Sequence, residues 1–253
     1  MKRALLVCPL FAACAVDPID PPVDDAITGF IDADQTWRGE RELRGFVVIE
    51  PGVTVTVEAG ATLRIAEGSS IEVNGTLTAI GTKEAPISLT PPEGTYWLGI
   101  NVAGAYTLHH GTQVSGGIYT IAPQAIVEVR DSELWNSIGD LIVMDGGSVD
   151  VQYTNLGRET GNHTHCNVHI NSAASATFTH NNNAGVSFGQ MLYGGRGDFS
   201  SSNWFGNVTD IEPNPAGTGS FDGSYFEKGR PGGVAGSTFE NLQSAPIADA
   251  GPR

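Results

Sequence analysis

The amino-acid sequence predicts an all-β solenoid, a chain wound into stacked turns of about 21–22 residues each. Three observations carry the prediction. Apolar and polar residues alternate from residue 46 to 102, glycines interrupt that alternation every few residues, and a six-residue pattern recurs in the second half of the chain.

In the first half, Val53, Val55 and Val57 alternate with threonines, and Leu63 and Ile65, Ile71 and Val73, Leu77 and Ala79, and Ile87 and Leu89 continue the rhythm. Period two places one set on a single strand face, with Thr54, Thr56, Thr62, Glu72 and Thr78 opposite. Gly52, Gly60, Gly68, Gly75 and Gly81 mark the turns. Strands this short cannot bury a face alone and must stack on copies of themselves. The outward threonines suggest a hydroxyl ladder able to order water, interrupted by Arg64 and Glu72.

In the second half the pattern is an apolar residue, two variable ones, a small polar one, a variable one and an apolar one. It reads Val129-x-x-Ser132-x-Leu134, Val151-x-x-Thr154-x-Leu156, Phe178-x-x-Asn181, Phe199-x-x-Ser202-x-Trp204 and Phe221-x-x-Ser224-x-Phe226, at spacings of 22, 27, 21 and 22 residues. Leu108 stands 21 residues before Val129, as an earlier, degraded copy. The apolar positions are expected to stack inward, and the polar residues to form a column at a bend, bonding turn backbone that would otherwise be buried unpaired. Val234-x-x-Ser237-x-Phe239 follows too soon for a full turn and is expected to cap the end, since an open end is an exposed sheet edge.

Composition agrees. Glycine supplies 33 of 253 residues, roughly twice the usual share, as a turn-dense fold requires. No apolar run beyond the N-terminal segment reaches the ~18 residues of a membrane helix. That segment pairs Lys2 and Arg3 with the apolar stretch ALLVCPLFAA, ahead of Cys14. Phe11-Ala12-Ala13-Cys14 is similar to a bacterial lipoprotein cleavage box, with Phe in the first position. We therefore expect a signal segment over 1–13, lipid attachment at Cys14 with an acidic, Pro-rich tether over 14–29, and the β-helix domain over 30–253. Cleavage would leave 11 basic and 28 acidic residues, a net charge of −17. That balance disfavours nucleic acid and favours divalent or cationic partners. Cys166 alone would remain in the mature domain, so no intramolecular disulfide is expected.

The runs EPGVTVTVEAGATLRI and NGTLTAIGT, with Thr36-Trp37, residues 85–87 and WLGI at 97–100, together resemble the start of a right-handed parallel β-helix of the pectate-lyase-like kind. NWFGNVTD, SFDGSYFE and ENLQSAPIADAG look like the closing turns of bacterial surface β-helix proteins. The resemblance implies a single-stranded right-handed parallel β-helix with capped ends. It also implies an exported protein of the cell envelope, an outer-membrane lipoprotein or a secreted protein.

Candidate sites follow from strand geometry. The run HTHCNVHIN (163–171), read as one strand, places His163, His165 and His169 outward and Cys166 inward as a buried thiol. His163 and His165 are near enough for one metal ion, and His169 is too far unless the strand bends. Glu128 and Asp150 are expected side by side on successive turns, where two carboxylates invite a cation, calcium being the natural one. Trp135 and Phe205, just after inward positions, are expected to face out as platforms for sugar rings, whereas Trp204 belongs to the core. Arg130 and Asp131 form the one Arg/Asp pair on a repeat turn and are the weak catalytic candidates, without a lyase or hydrolase signature around them. The expected role is a non-catalytic, monomeric surface protein that binds extracellular polysaccharide or a surface protein. The alternative is a polysaccharide lyase or glycoside hydrolase acting on an acidic polysaccharide.

Overall fold

A computed structural model describes residues 26–173, 175–212 and 215–253. The described residues form a right-handed parallel β-helix of about nine turns and contain no helix. Each full turn carries three short strands. The front sheet stacks nine strands in sequence order, from Gln35–Trp37 through Ala105–His109, Ile126–Arg130 and Ser148–Gln152 to Thr218–Ser220. Its flank neighbours include Gly111–Val114, Glu133–Trp135, Asn155–Gly157, Asn182–Ala184 and Asn203–Phe205; the rear stack includes Ile118–Thr120, Ile142–Asp145 and Cys166–Ser172. Every pairing is parallel, between strands of neighbouring turns. The first strand, Ile27–Ile31, already pairs with Glu40–Ile49, three residues ahead of the sequence-based domain start.

The period-two reading holds along the first half. Val55, Leu63, Ile65, Ile71, Val73, Leu77, Ala79, Ile87 and Leu89 are all fully buried, as sequence alternation requires of one strand face. Leu108 pairs in register with Val129, so the degraded copy is a true rung. Arg64 and Glu72 leave the front face for the flank and rear strands Thr62–Ile65 and Ser70–Val73, so they do not interrupt the threonines. Thr36, Thr56, Thr78 and Thr107 run unbroken down the front sheet before Glu128.

Between front and flank strands the chain bends through one residue in left-handed backbone: His110, Asp131, Tyr153, His180 and Ser201, with φ from 45 to 58°. The small polar residue follows immediately, except after His110, where Gly111 stands. The backbone N–H of Thr154 donates to Asn181 Oδ1 at 2.9 Å, that of Asn181 to Ser202 Oγ at 3.1 Å, and that of Ser202 to Ser224 Oγ at 3.1 Å. Asn181, Ser202 and Ser224 thus each satisfy a buried N–H of the turn before, as Ser132 Oγ does for Gly111 N–H at 3.1 Å, while the Thr154 hydroxyl donates to the Gln152 carbonyl.

The apolar column becomes aromatic toward the end of the chain. Phe178, Phe199, Phe221 and Phe239 stack face to face with ring centroids 5.5, 5.2 and 5.1 Å apart. Phe239 therefore holds the first apolar position of the last turn; the sequence pattern placed Val234 there. Thr238 bridges Ser220 and sets that register, while Ser237 Oγ accepts from Gly219 N.

A strap closes this end. Ile247 N–H donates to Asn203 Oδ1, and Asn203 Nδ2 donates to the Ile247 carbonyl. Asn182 Nδ2 reaches the Ala250 carbonyl, Gly251 N–H donates to the His180 carbonyl, and Arg253 Nε meets Asp131 Oδ1 at 3.1 Å. The Arg253 guanidinium also lies over the Tyr153 ring, so seven residues touch four consecutive turns. Gly251 has φ of 94°, and a Cβ there would lie 2.3 Å from Asn182 Nδ2. Gly251→Ala is expected to cost about 1–3 kcal/mol and to free residues 247–253. Limited proteolysis at the strap checks this; a variant cleaved no faster than wild type refutes it.

Candidate functional site

The structure separates the two catalytic candidates. Arg130 lies on the front sheet, where its guanidinium pairs with Asp150 and stands 3.8 Å from Glu128 Oε1. Asp131 occupies the left-handed bend and turns to the corner, where Arg253 holds it and stacks 3.4 Å over the Tyr153 ring. Adjacent residues around a bend point to different faces, so Arg130 and Asp131 do not converge.

Glu128 and Asp150 are register neighbours, as expected. The charge between them is Arg130, and no cation is needed to hold them together. His109 Nε2 contacts Glu128 Oε1 at 3.0 Å, and Gln152 Nε2 donates to Asp150 Oδ1 at 3.0 Å. The arrangement is a flat polar network on an open sheet.

The histidine run differs more from expectation. The strand begins at Cys166, so His163 and His165 lie in the preceding turn and do not share a strand face. Asn167 is buried, donating to the Leu156 carbonyl at 2.8 Å. Asp140, on the previous turn, gathers His165 Nδ1 at 2.9 Å and His169 Nδ1 at 2.6 Å. The pair brought together is therefore His165 and His169, with His163 left outside. Among the described residues no group of three His, Cys, Asp or Glu side chains is arranged to hold a metal ion. Cys166 is buried as expected; desolvation, with the Asp140 carboxylate nearby, pushes its thiol far above the usual range, unlike a nucleophile. Cys14 lies outside the described residues.

Trp135 and Phe205, the sugar-platform candidates, line the same groove. Trp135, Gly157, Ala184 and Phe205 occupy successive rungs of the flank stack. Two aromatic rings thus flank a glycine and an alanine, with three rungs, or ~14 Å, between the end strands. A parallel ladder of Glu133, Asn155 and Asn182 runs beside them. The result is a groove of about 530 Å³. Arg158 lies 3.8 Å over the Trp135 ring, and Glu159 stands at the rim. Asn182 Nδ2 donates to Asn155 Oδ1 at 2.8 Å, while the Asn155 contact to Glu133 stretches to 3.5 Å. One Asn155 N–H is thus held only by that long contact, and the other is open to a ligand.

Sequence reasoning missed Asp140, Arg158 and Asp210. Burial raises the Asp210 carboxyl, opposed by the Asn207 hydrogen bond and by Lys228. The Lys228 ammonium is bonded to the Asn207 and Val208 carbonyls, so the cluster clamps a turn. Only the spacing of Asn207 and Asp210, three residues apart, hinted at it.

No family model, curated protein or solved structure matches the chain. Its identity at this point is architectural: the chain is a parallel β-solenoid.

Proposed function

We propose that this is an exported, non-catalytic surface β-helix that binds an extracellular glycan in the groove between Trp135 and Phe205. The single observation behind the reading is the pair of aromatic rings flanking Gly157 and Ala184 beside an asparagine ladder. Sugar rings stack on aromatic faces, and side-chain amides both donate to and accept from hydroxyls. Export, lipidation at Cys14, a cell-envelope location, a bacterial origin and a pectate-lyase-like kinship rest on the sequence resemblance alone. The protein would work as a monomer and reach a membrane only through its lipid anchor.

The enzyme alternative requires an acid, a base and a cation site converging in a cleft. Arg130 and Asp150 neutralise one another on a flat sheet, and Asp131 is taken by Arg253, so no observation favours it over binding.

The test is retention of the full chain in native gels containing soluble polysaccharides, with reducing ends assayed in parallel. Retardation without polymer cleavage is expected, and Trp135→Ala should weaken it by at least tenfold, about 1.4 kcal/mol or more. Chain shortening would replace the reading with the enzymatic one.

A further inference from the structure

We infer that the glycan is an uncharged, hydroxyl-rich polymer; this rests on reading the groove as a glycan site. A second hollow of about 270 Å³ adjoins the first at Glu133, and its lining includes Lys83, Asp131 and Arg253. Along the two, Lys83, Arg158 and Arg253 face Asp131, Glu133 and Glu159. Cations and anions are equal in number there, in a chain whose net charge is −15. Two of the three cations are already engaged, Arg253 on Asp131 and Arg158 over Trp135. A polyuronate carboxylate entering beside Trp135 would meet Glu133 and Glu159 with a single guanidinium to receive it, inside the repulsive field of an acidic protein. A polycation gains nothing from this groove that the acidic surface elsewhere does not offer. Within the ladder Asn182 is already committed, its Nδ2 to Asn155 Oδ1 and the Ala250 carbonyl and its Oδ1 to Asn203 Nδ2, while Asn155 Nδ2 reaches only the distant Glu133 carboxylate. A hydroxyl can accept from that Asn155 amide and donate to Glu133, whereas a carboxylate has no proton to donate and is repelled by Glu133. The aromatic walls reward the apolar faces of a pyranose ring, and their electron-rich faces offer nothing to a carboxylate.

The experiment is affinity electrophoresis of the full chain in gels containing hydroxyethyl cellulose, galactomannan, polygalacturonate or chitosan. Each is run at low ionic strength and at about 1 M salt, where the Debye length falls to ~3 Å. Retention by a neutral polymer that changes less than about twofold with salt, and is lost in Trp135→Ala of unchanged circular dichroism, is the expected result. Retention by polygalacturonate or chitosan that collapses in high salt would overturn the inference and leave glycan binding standing. Retention by none of the four would sink the groove reading itself, and this inference with it.

Discussion

Phe199→Ala is expected to lower the unfolding midpoint by about 10 °C, through a loss of roughly 3–5 kcal/mol. Phe199 is buried between Phe178 and Phe221, so the change removes two stacked contacts at once. The cavity cannot collapse. A Cβ at Gly197 would already sit 2.4 Å from the Phe199 ring, and one at Gly219 would sit 2.9 Å away, so the ring occupies space that two glycines vacate. Those glycines have no side chain to swing into the void, which places the cost in the upper part of the range. Phe199→Leu should recover about half by keeping most of the apolar volume. Thermal melts followed by circular dichroism decide it. A loss under about 1 kcal/mol for the alanine variant would show that the aromatic column is not a principal source of stability.

Asn181→Val is expected to cost about 4 kcal/mol despite placing an apolar side chain at a fully buried position. Asn181 Nδ2 donates to the Val151 carbonyl at 2.9 Å, and its Oδ1 accepts from Thr154 N–H at 2.9 Å. Valine breaks both and strands a buried donor and a buried acceptor on the preceding turn. Asn181→Thr should be milder, because the hydroxyls of Ser202 and Ser224 already fill the equivalent role one and two turns on. Urea denaturation of the three proteins is the measurement. Equal midpoints for valine and asparagine would mean the polar column serves register without adding stability.

The parts of the molecule legible in the sequence are those set by local periodicity. Val129, Ser132 and Leu134 announce a strand end, a bend and a strand start because burial alternates with period two and the bend returns every turn. The outward aspect of Trp135 and Phe205 follows from the same count, being one residue past an inward position. What was illegible depends on contacts between turns or across the whole chain. Asp131 and Arg253 are separated by 122 residues, so no spacing rule joins them. Asp140 gathers His165 and His169 because its turn loop lies over the start of the next turn's strand, and the strand start at Cys166 removed the alternation on which the His163 and His165 pairing relied. The register of Phe239 is set by the bridge between Thr238 and Ser220 and by the Gly223 N–H on the Glu240 carbonyl, which the six-residue pattern does not encode.

The strap changes how the molecule should respond to force. A repeat stack whose rungs meet only their neighbours peels one turn at a time, each rung bearing the whole load in sequence. Ile247, Ala250, Gly251 and Arg253 instead fasten the final turn by hydrogen bonds to the rungs of Asn203, of Asn182 and His180, and of Asp131, and Arg253 covers Tyr153 on the rung between the last two. Tension applied near residue 253 is then shared by those fastenings in shear before any rung can unzip. The aromatic column of Phe178 to Phe239 lies within the clamped region, so the strap acts as a seam that keeps the stiffest part of the solenoid from unravelling at its edge.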